Sequence, residues 1–424
     1  MKIVSNPEKN TWDELCKRPQ MQLEFLEGSV KNILSRVAAS GDAALRELTF
    51  QFDKIKIDEL QVSKKEIREA IDLVPQDLKQ AIKLASKNIT TFHAAQKREV
   101  VKVETTPGVL CWRKAEPIQK IGIYIPGGSA PLFSTVLMLG IPAKLAGCEE
   151  IVLCTPPDQE GKIHPAILFT ANLIGVKNIF KVGGAQAIAA MAYGTVSIPS
   201  VYKIFGPGNQ YVTKAKQLVN LEGTAIDMPA GPSEVLVLAD ASADPTWVAA
   251  DLLSQAEHGT DSQVILVTES EPLAKSIIAE IEVQVKKLPR RKIAETALAN
   301  SCAILLEKEK AIDFINHYAP EHLIINTIDC DELAEKIKNA GSLFLGAYTP
   351  ESAGDYASGT NHTLPTNGFA KSYSGVSLEN FLKYITVQKI TKEGIKNLGP
   401  TIEFMAEAEQ LKGHAEAVRR RISQ

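Results

Sequence analysis

The spacing of apolar residues changes character twice along the chain. Over the first 110 residues, apolar positions recur at helical spacing: one segment starts near Val30 and runs through Leu45 and Leu48, and two more cover 64–73 and 75–91. Gly41-Asp42 interrupts the first and predicts a junction between helices. From Lys120 the pattern becomes short apolar runs closed by glycine or proline. These runs are 120–125 before Pro126-Gly127-Gly128, 150–154 before Pro156-Pro157, 178–182 before Gly183-Gly184, and 201–205 before Gly206-Pro207-Gly208. Between them, 134–146, 164–173 and 185–193 read as helices. A second set comprises 234–240, 264–268, 303–306 and 323–326. Within it, Asp244-Pro245 predicts a helix start, with an acidic N-cap and proline at the first position. That helix runs to about His258, and Gly259 closes it. Strand–turn–helix repetition predicts parallel β/α units. The last fifty residues show no strand rhythm and read as helical.

The expected architecture is therefore α/β: two Rossmann-like β/α domains with parallel-rich sheets, plus small helical segments at both ends. Residues 1–23 form the N-terminal helical segment. Residues 24–125 and 234–373 form a first α/β domain, 126–233 a second, and 374–424 a helical tail. The break between the two strand sets falls near Pro229-Ala230-Gly231-Pro232.

Composition narrows the function classes. A chain of 424 residues is too long for one core, so two or more domains are expected. Lys and Arg number 47 against 50 Asp and Glu, which leaves no global basic field for nucleic acid. The cluster Arg419-Arg420-Arg421 reads as a solvated last helical turn. Six scattered cysteines contain no C-x-x-C pair, which suits free thiols in a reducing compartment. The N-terminus has no apolar signal core, and no run of about 20 apolar residues occurs. A cytoplasmic enzyme or binding protein is expected.

Five segments can carry chemistry. Three glycine turns, at 127–128, 183–184 and 206–209, each stand between a strand and a helix, where backbone can approach a phosphate. None is G-x-G-x-x-G; each alone is an ordinary tight connection, and three in series favour a nucleotide site. Gln255 and His258 are three apart near a helix end, a spacing that suits a metal or an unremarkable surface pair. Glu321-His322, held behind Pro320 and ahead of an apolar strand, can divide base and acid work. The loop 352–365 contains Asp355 and His362 among small residues and suits ligand binding. Glu409 and His414 point to different faces of an unbroken helix unless Gly413 kinks it. His93, His164 and His317 have no such company and read as structural.

Taken together, these segments resemble histidinol dehydrogenases. The resemblance rests on Y-I-P-G-G-S at 124–129, V-G-G-A-Q-A-I-A at 182–189, G-P-G-N at 206–209, I-D-M-P-A-G-P-S-E-V-L-V-L-A-D at 226–240, and Q-A-E-H at 255–258. It continues through A-P-E-H-L at 319–323 and G-T-N-H-T-L-P-T at 359–366. Order and spacing match over nearly the whole chain. The family implies a four-electron oxidation of L-histidinol to L-histidine through the aldehyde, with two NAD reduced. Carried over by motif, it implies Zn2+ held by Gln255, His258, Asp355 and His414. It implies His322 as general base and Glu321 as activator of water. Ser233, Gln255, His258, His322, Asp355, His362, Glu409 and His414 are implied substrate contacts, and Tyr124, Gln186 and Asn209 NAD contacts. It also implies a homodimer whose tail crosses to complete the partner's site. Ile402, Met405, Leu411, Ala415, Val418 and Ile422 would be the apolar tail positions needing cover. A zinc hydrolase using Glu321 or Glu257, and a non-catalytic two-lobed binding protein, are the competing readings. The first leaves the glycine turns without purpose; the second leaves the Glu-His pair idle.

Overall fold

The computed structural model describes residues 1–19, 23–127, 130–229 and 231–423. Gly128, Ser129 and Ala230, used above in the glycine turn and the domain break, lie outside the described residues. The strands are β1 (Lys2–Ser5), β2 (Lys102–Thr106), β3 (Val109–Pro117), β4 (Lys120–Tyr124), β5 (Glu150–Thr155), β6 (Asn178–Lys181) and β7 (Lys203–Phe205). They continue with β8 (Ala225–Ile226), β9 (Glu234–Ala239), β10 (Gln263–Thr268), β11 (Cys302–Leu305), β12 (His322–Asn326), β13 (Ser342–Leu345) and β14 (Leu382–Ile390).

Two parallel sheets and one antiparallel sheet result. The five-stranded sheet has the order β6-β5-β4-β7-β8 and the six-stranded sheet β1-β11-β10-β9-β12-β13. Setting aside β1, each runs outward from its first strand in both directions, so each has a reversal point: β4/β7 in one and β9/β12 in the other. Strands β9 and β10 are buried at every residue, as near-continuous Val, Leu and Ile require when helices cover both faces. The helix Phe133–Ala146 is apolar on all sides and buried from Ser134 to Ala143, because it is sandwiched between layers. The helix Pro245–Ala256 starts as expected: Asp244 Oδ1 accepts from Thr246 N at 2.7 Å and Pro245 follows.

Several boundaries differ from expectation. Residues 24–125 do not belong with the six-stranded sheet. Val30, Leu34, Leu45, Leu48 and Ile57 share a core with Tyr124, Phe180 and Ile188, and β4 lies in the middle of the five-stranded sheet. Hydrophobic periodicity identifies a buried face but not the sheet it covers. Neither terminus is purely helical. β1 pairs in parallel with β11, and β14 pairs with β3 over nine residues in the antiparallel sheet β14-β3-β2. Both strands mix apolar with polar residues and expose half or more of their positions, so they lack the unbroken apolar runs that mark interior strands. The junction at Gly41 holds: its φ of 51° breaks the helix Leu23–Asp53. In the tail the break falls at Gln410, with φ 62°, rather than at Gly413, which lies inside the helix Lys412–Ile422.

The N-terminal segment is anchored by a buried ion pair. Arg18 Nη2 lies 2.7 Å from Glu234 Oε2, donates to Tyr318 O at 2.8 Å, and the guanidinium stacks 3.7 Å from the Tyr318 ring centroid. Replacing Arg18 by Met would leave the fully buried Glu234 charge uncompensated. Urea unfolding should show a loss of roughly 3–5 kcal/mol, largely recovered in the Arg18→Met/Glu234→Gln double variant. An unchanged unfolding midpoint in the single variant would refute this.

Candidate active site

The carboxyl ends of β4 and β7 build one half of the site. Tyr124 ends β4, Gln186 sits in the first turn of the helix Gly184–Tyr193, and Asn209 caps the helix Gln210–Leu221 through Val212 N at 3.1 Å. All three line a cavity of about 1440 Å³, together with Gly127, Gly184 and, from the helix Leu23–Asp53, Asn32 and Asp53. The Tyr124 hydroxyl accepts from Gly184 N at 3.0 Å. Gly206, at φ 125°, passes so close to β4 that a Cβ would stand 2.1 Å from Tyr124 O, so only glycine fits. The turn it opens is held by a buried Lys216–Asp227 pair: Asp227 Oδ2 accepts from Gly206 N and Lys216 Nζ donates to Gly206 O, both at 2.8 Å.

The other half lies at the amino ends of β9 and β12. The helix Lys308–Tyr318 ends on Ala319 in the left-handed conformation, with φ 55°, and Pro320 turns the chain into the sheet. Glu321 and His322 follow at once, both buried. Glu321 Oε2 accepts from Glu234 N at 2.9 Å. His322 Nδ1 donates to Glu234 O at 3.2 Å and lies 3.0 Å from Gln255 Nε2. This tautomer leaves Nε2 as the free nitrogen. It stands 3.5 Å from Asp355 Oδ1 without a hydrogen bond. Gln255 Nε2 also faces Glu234 O and Glu321 Oε2, so its Oε1 turns the other way and is buried without a partner.

The expected helix to His258 ends at Ala256, so His258 is placed by the following turn, exposed, rather than by a shared helix face with Gln255. Asp355 lies not in a loop but on the short helix Glu351–Tyr356. Glu351, one turn before Asp355 on the same face, was not singled out in the sequence, although E-x-x-x-D at helical spacing was its visible signal. His258, Glu351 and Asp355 offer ligand atoms within 4.8 Å of one another. His362 joins the two halves. Its Nδ1 donates to Asp355 O at 2.9 Å and its Nε2 meets Thr135 Oγ1 at 3.0 Å, on the helix that begins beside the cavity. Ser233 is half-buried ahead of Glu234. Glu409 and His414 are exposed at the turn between the two tail helices, and no hydrogen bond or ion pair among the described residues joins them to this cluster.

The electrostatics of the cluster are dominated by buried carboxylates. Burial pulls the His322 imidazolium down, but Glu321, Glu351 and Asp355 outweigh it and hold the ring well above the ordinary histidine range. Burial pushes the Glu351 carboxyl up to about 8. Asp355 is held below the usual range: burial opposes this, but its contact with His322 and the charge of that ring prevail. Burial holds His362 neutral. His258 and Asp355, with the buried and unpartnered Gln255 Oε1, are nitrogen and oxygen donors of the kind zinc takes in an open, catalytic type of site.

His362 ties the helix that begins beside the cavity to Asp355, next to the acid–imidazole pair, and an acid and a base together with a nucleotide-sized cavity suit proton removal coupled to hydride loss. The molecule is therefore an α/β oxidoreductase. The histidinol dehydrogenase family model matches residues 16–422, and the chain belongs to that family. A histidinol dehydrogenase of Bacteroides fragilis (strain YCH46) is 61% identical over 425 residues, covering 100% of this chain and 99% of that protein. One from Bacteroides thetaiotaomicron is 59% identical over 424 residues, with the same coverage. The crystal structure of histidinol dehydrogenase from Elizabethkingia anophelis superposes with a TM-score of 0.98 at 57% identity, covering 100% of this chain and 98% of that one. No helix among the described residues is long and apolar enough to cross a membrane.

The His322 environment makes a direct prediction for the metal-free protein. Replacing Asp355 by Asn removes a carboxylate that favours the imidazolium, so the His322 pKa should fall. Titration of its ring proton signals by NMR should show that downward move, and an unmoved or raised pKa would contradict the assigned contact.

Proposed function

We propose that the protein oxidises L-histidinol to L-histidine in two NAD-dependent steps at a zinc centre, as the last reaction of histidine biosynthesis. The observation that carries this reading is the buried Glu321–His322 pair with the orphaned Gln255 oxygen, in one chain with a cavity lined by Tyr124, Gln186 and Asn209. In the first step the alcohol loses a proton and a hydride, giving aldehyde and NADH. In the second, water adds to the aldehyde and a second hydride leaves, giving carboxylate and a second NADH.

Gln255, His258 and Asp355 of one chain, with His414 of a second copy, are the residues that would hold zinc. Bound there, zinc supplies Lewis acidity and orientation for the substrate, and a positive charge that offsets the carboxylates around His322. His322 Nε2, kept free of protein partners, takes the alcohol proton. Glu321, fixed by Glu234 N, takes a proton from the water that attacks the aldehyde. Ser233, His362 and Glu409 contact substrate, as do the ligand residues. Tyr124, Gln186 and Asn209 would hold NAD, and the N-terminus of the helix Gly184–Tyr193 would favour its pyrophosphate. The large cavity has no use in a hydrolase, which disfavours that alternative. Six free thiols suit a cytoplasmic setting.

Homodimerisation belongs to the same reading. Glu409 and His414 are far from their expected companions within one chain, and Phe404, Met405 and Leu411 are exposed beside them. Ala415 and Val418 of the expected apolar face are instead buried within the tail. A second copy, covering the exposed residues, would receive His414 and Glu409 in its own site.

Three measurements test this. Wild-type protein should reduce NAD with histidinol and stop on removal of zinc by a chelator. Glu321→Gln should slow oxidation of the aldehyde far more than that of the alcohol, and equal losses on both substrates would remove the role given to Glu321. Mixing His258→Ala with His414→Ala, each inactive alone, should restore roughly a quarter of the sites, since half the dimers are mixed and each has one intact site. No recovery, with subunit exchange shown by mass, would refute the shared site.

A further inference from the structure

Glu351 has no part in the chemistry above, yet it is set as deeply as the acid–imidazole pair. It is 1% exposed, and its Oε2 is buried without a hydrogen-bond partner. A buried carboxylate oxygen left unpartnered is costly, so a ligand that completes it is favoured. Its position identifies that ligand. Glu351 lies one helical turn before Asp355, and its carboxylate is within 4.8 Å of ligand atoms of both His258 and Asp355. An atom held beside those two residues is therefore within hydrogen-bond reach of Glu351.

We propose that Glu351 recognises the amine of the substrate, and makes the site prefer an amino alcohol to the same imidazolyl alcohol without the amine. The inference rests on the histidinol reading given above. Three features support it. The donor set already includes Gln255, His258, Asp355 and the second copy's His414. A fifth protein ligand would close the positions that a catalytic site keeps for substrate. Of the groups on the substrate, the alcohol must face His322 and the cavity to lose its proton and hydride. The amine keeps N–H donors whether or not its lone pair is given to a metal, and a carboxylate, the form that a neighbouring cation favours for Glu351, is the strongest partner for them. Finally, the charges around Glu351 are mostly negative. Glu321, Asp355 and Asp251 all bear on its carboxylate, and His322 alone opposes them among its largest influences. Such a pocket favours a cationic or strongly donating group over a neutral apolar one.

The test is equilibrium binding to the zinc-loaded, full-length protein without NAD, by calorimetry. The probes are histidinol and the imidazolyl propanol that lacks its amine. Zinc content is measured in parallel by elemental analysis. Glu351→Gln keeps the shape of the side chain and removes its charge. It should keep its zinc, bind histidinol roughly tenfold to a hundredfold more weakly, the size of a lost charge-assisted hydrogen bond, and bind the deamino analogue within about twofold of wild type. Glu351→Asp keeps the charge but shortens the reach, and should lose an intermediate amount for histidinol alone. Loss of zinc in Glu351→Gln would make Glu351 a metal ligand and overturn the proposal. Equal weakening of both probes, or no change for either, would overturn it as well. If wild type binds the analogue but not histidinol, or neither, the histidinol reading itself fails. If wild type prefers histidinol and Glu351→Gln prefers it equally, only the role of Glu351 fails.

Discussion

Four carboxylates, Glu234, Glu321, Glu351 and Asp355, are gathered at the amino edge of the six-stranded sheet, and three of them are almost wholly removed from water. Charge of one sign at that density is stable only with compensation. Arg18 balances Glu234 through a direct contact that also fastens the N-terminal segment to Tyr318. His322 balances Glu321 and Asp355, standing 3.5 Å from each. What remains is a surplus of acceptors: Glu351 beside His258 and Asp355, and the buried, unpartnered oxygen of Gln255. The site is thus defined less by any one residue than by a charge balance that the protein leaves incomplete.

The two sheets share a strand order but use opposite edges. The five-stranded sheet presents its carboxyl ends, where glycine turns let backbone approach a nucleotide. The six-stranded sheet presents its amino ends, where β9 and β12 bring Glu234, Glu321 and His322 side by side in register, His322 opposite Val235. The loop through Asn361 and His362 spans them. Asn361 donates to Met138 O at 2.6 Å, and His362 meets Thr135, both on the helix Phe133–Ala146. That helix is buried along most of its length, so the loop is tied to the packed interior of the half that carries the large cavity. Proton-handling groups are thereby set at a fixed distance from the cavity, which is what orientation-dependent hydride transfer demands.

Much of this was legible in the chain. Interior strands such as Glu234–Ala239 and Gln263–Thr268 announce themselves as unbroken apolar runs, because burial on both faces demands it. The helix start at Asp244-Pro245 and the break at Gly41 follow from backbone preferences of a few residues. The peripheral strands β1 and β14 were not legible. Each mixes apolar with polar residues and exposes half or more of its positions, so no unbroken apolar run records them. The partners of the first three helices were equally hidden, since an amphipathic face is the same whichever sheet it meets.

The candidate residues divide along the same line. Glu321-His322, Gln255 and Asp355 could be named from local spacing and motif because their residue types suit proton transfer and metal binding wherever they stand. Their meeting depends on contacts between residues 67 to 88 positions apart in the chain: Gln255 and His322, Glu234 and His322, Glu234 and Glu321. Glu351 shows the limit most clearly. In sequence it is an ordinary acid at a helix start, and only burial beside His258 and Asp355 gives it a ligand to serve. Sequence alone determined the alternation of strands and helices, the glycine turns and the reactive residue types, because these depend on neighbours a few residues away. Tertiary structure decided which groups lost their water and which charges faced one another, because solvation and Coulomb energy depend on distance through space rather than along the chain.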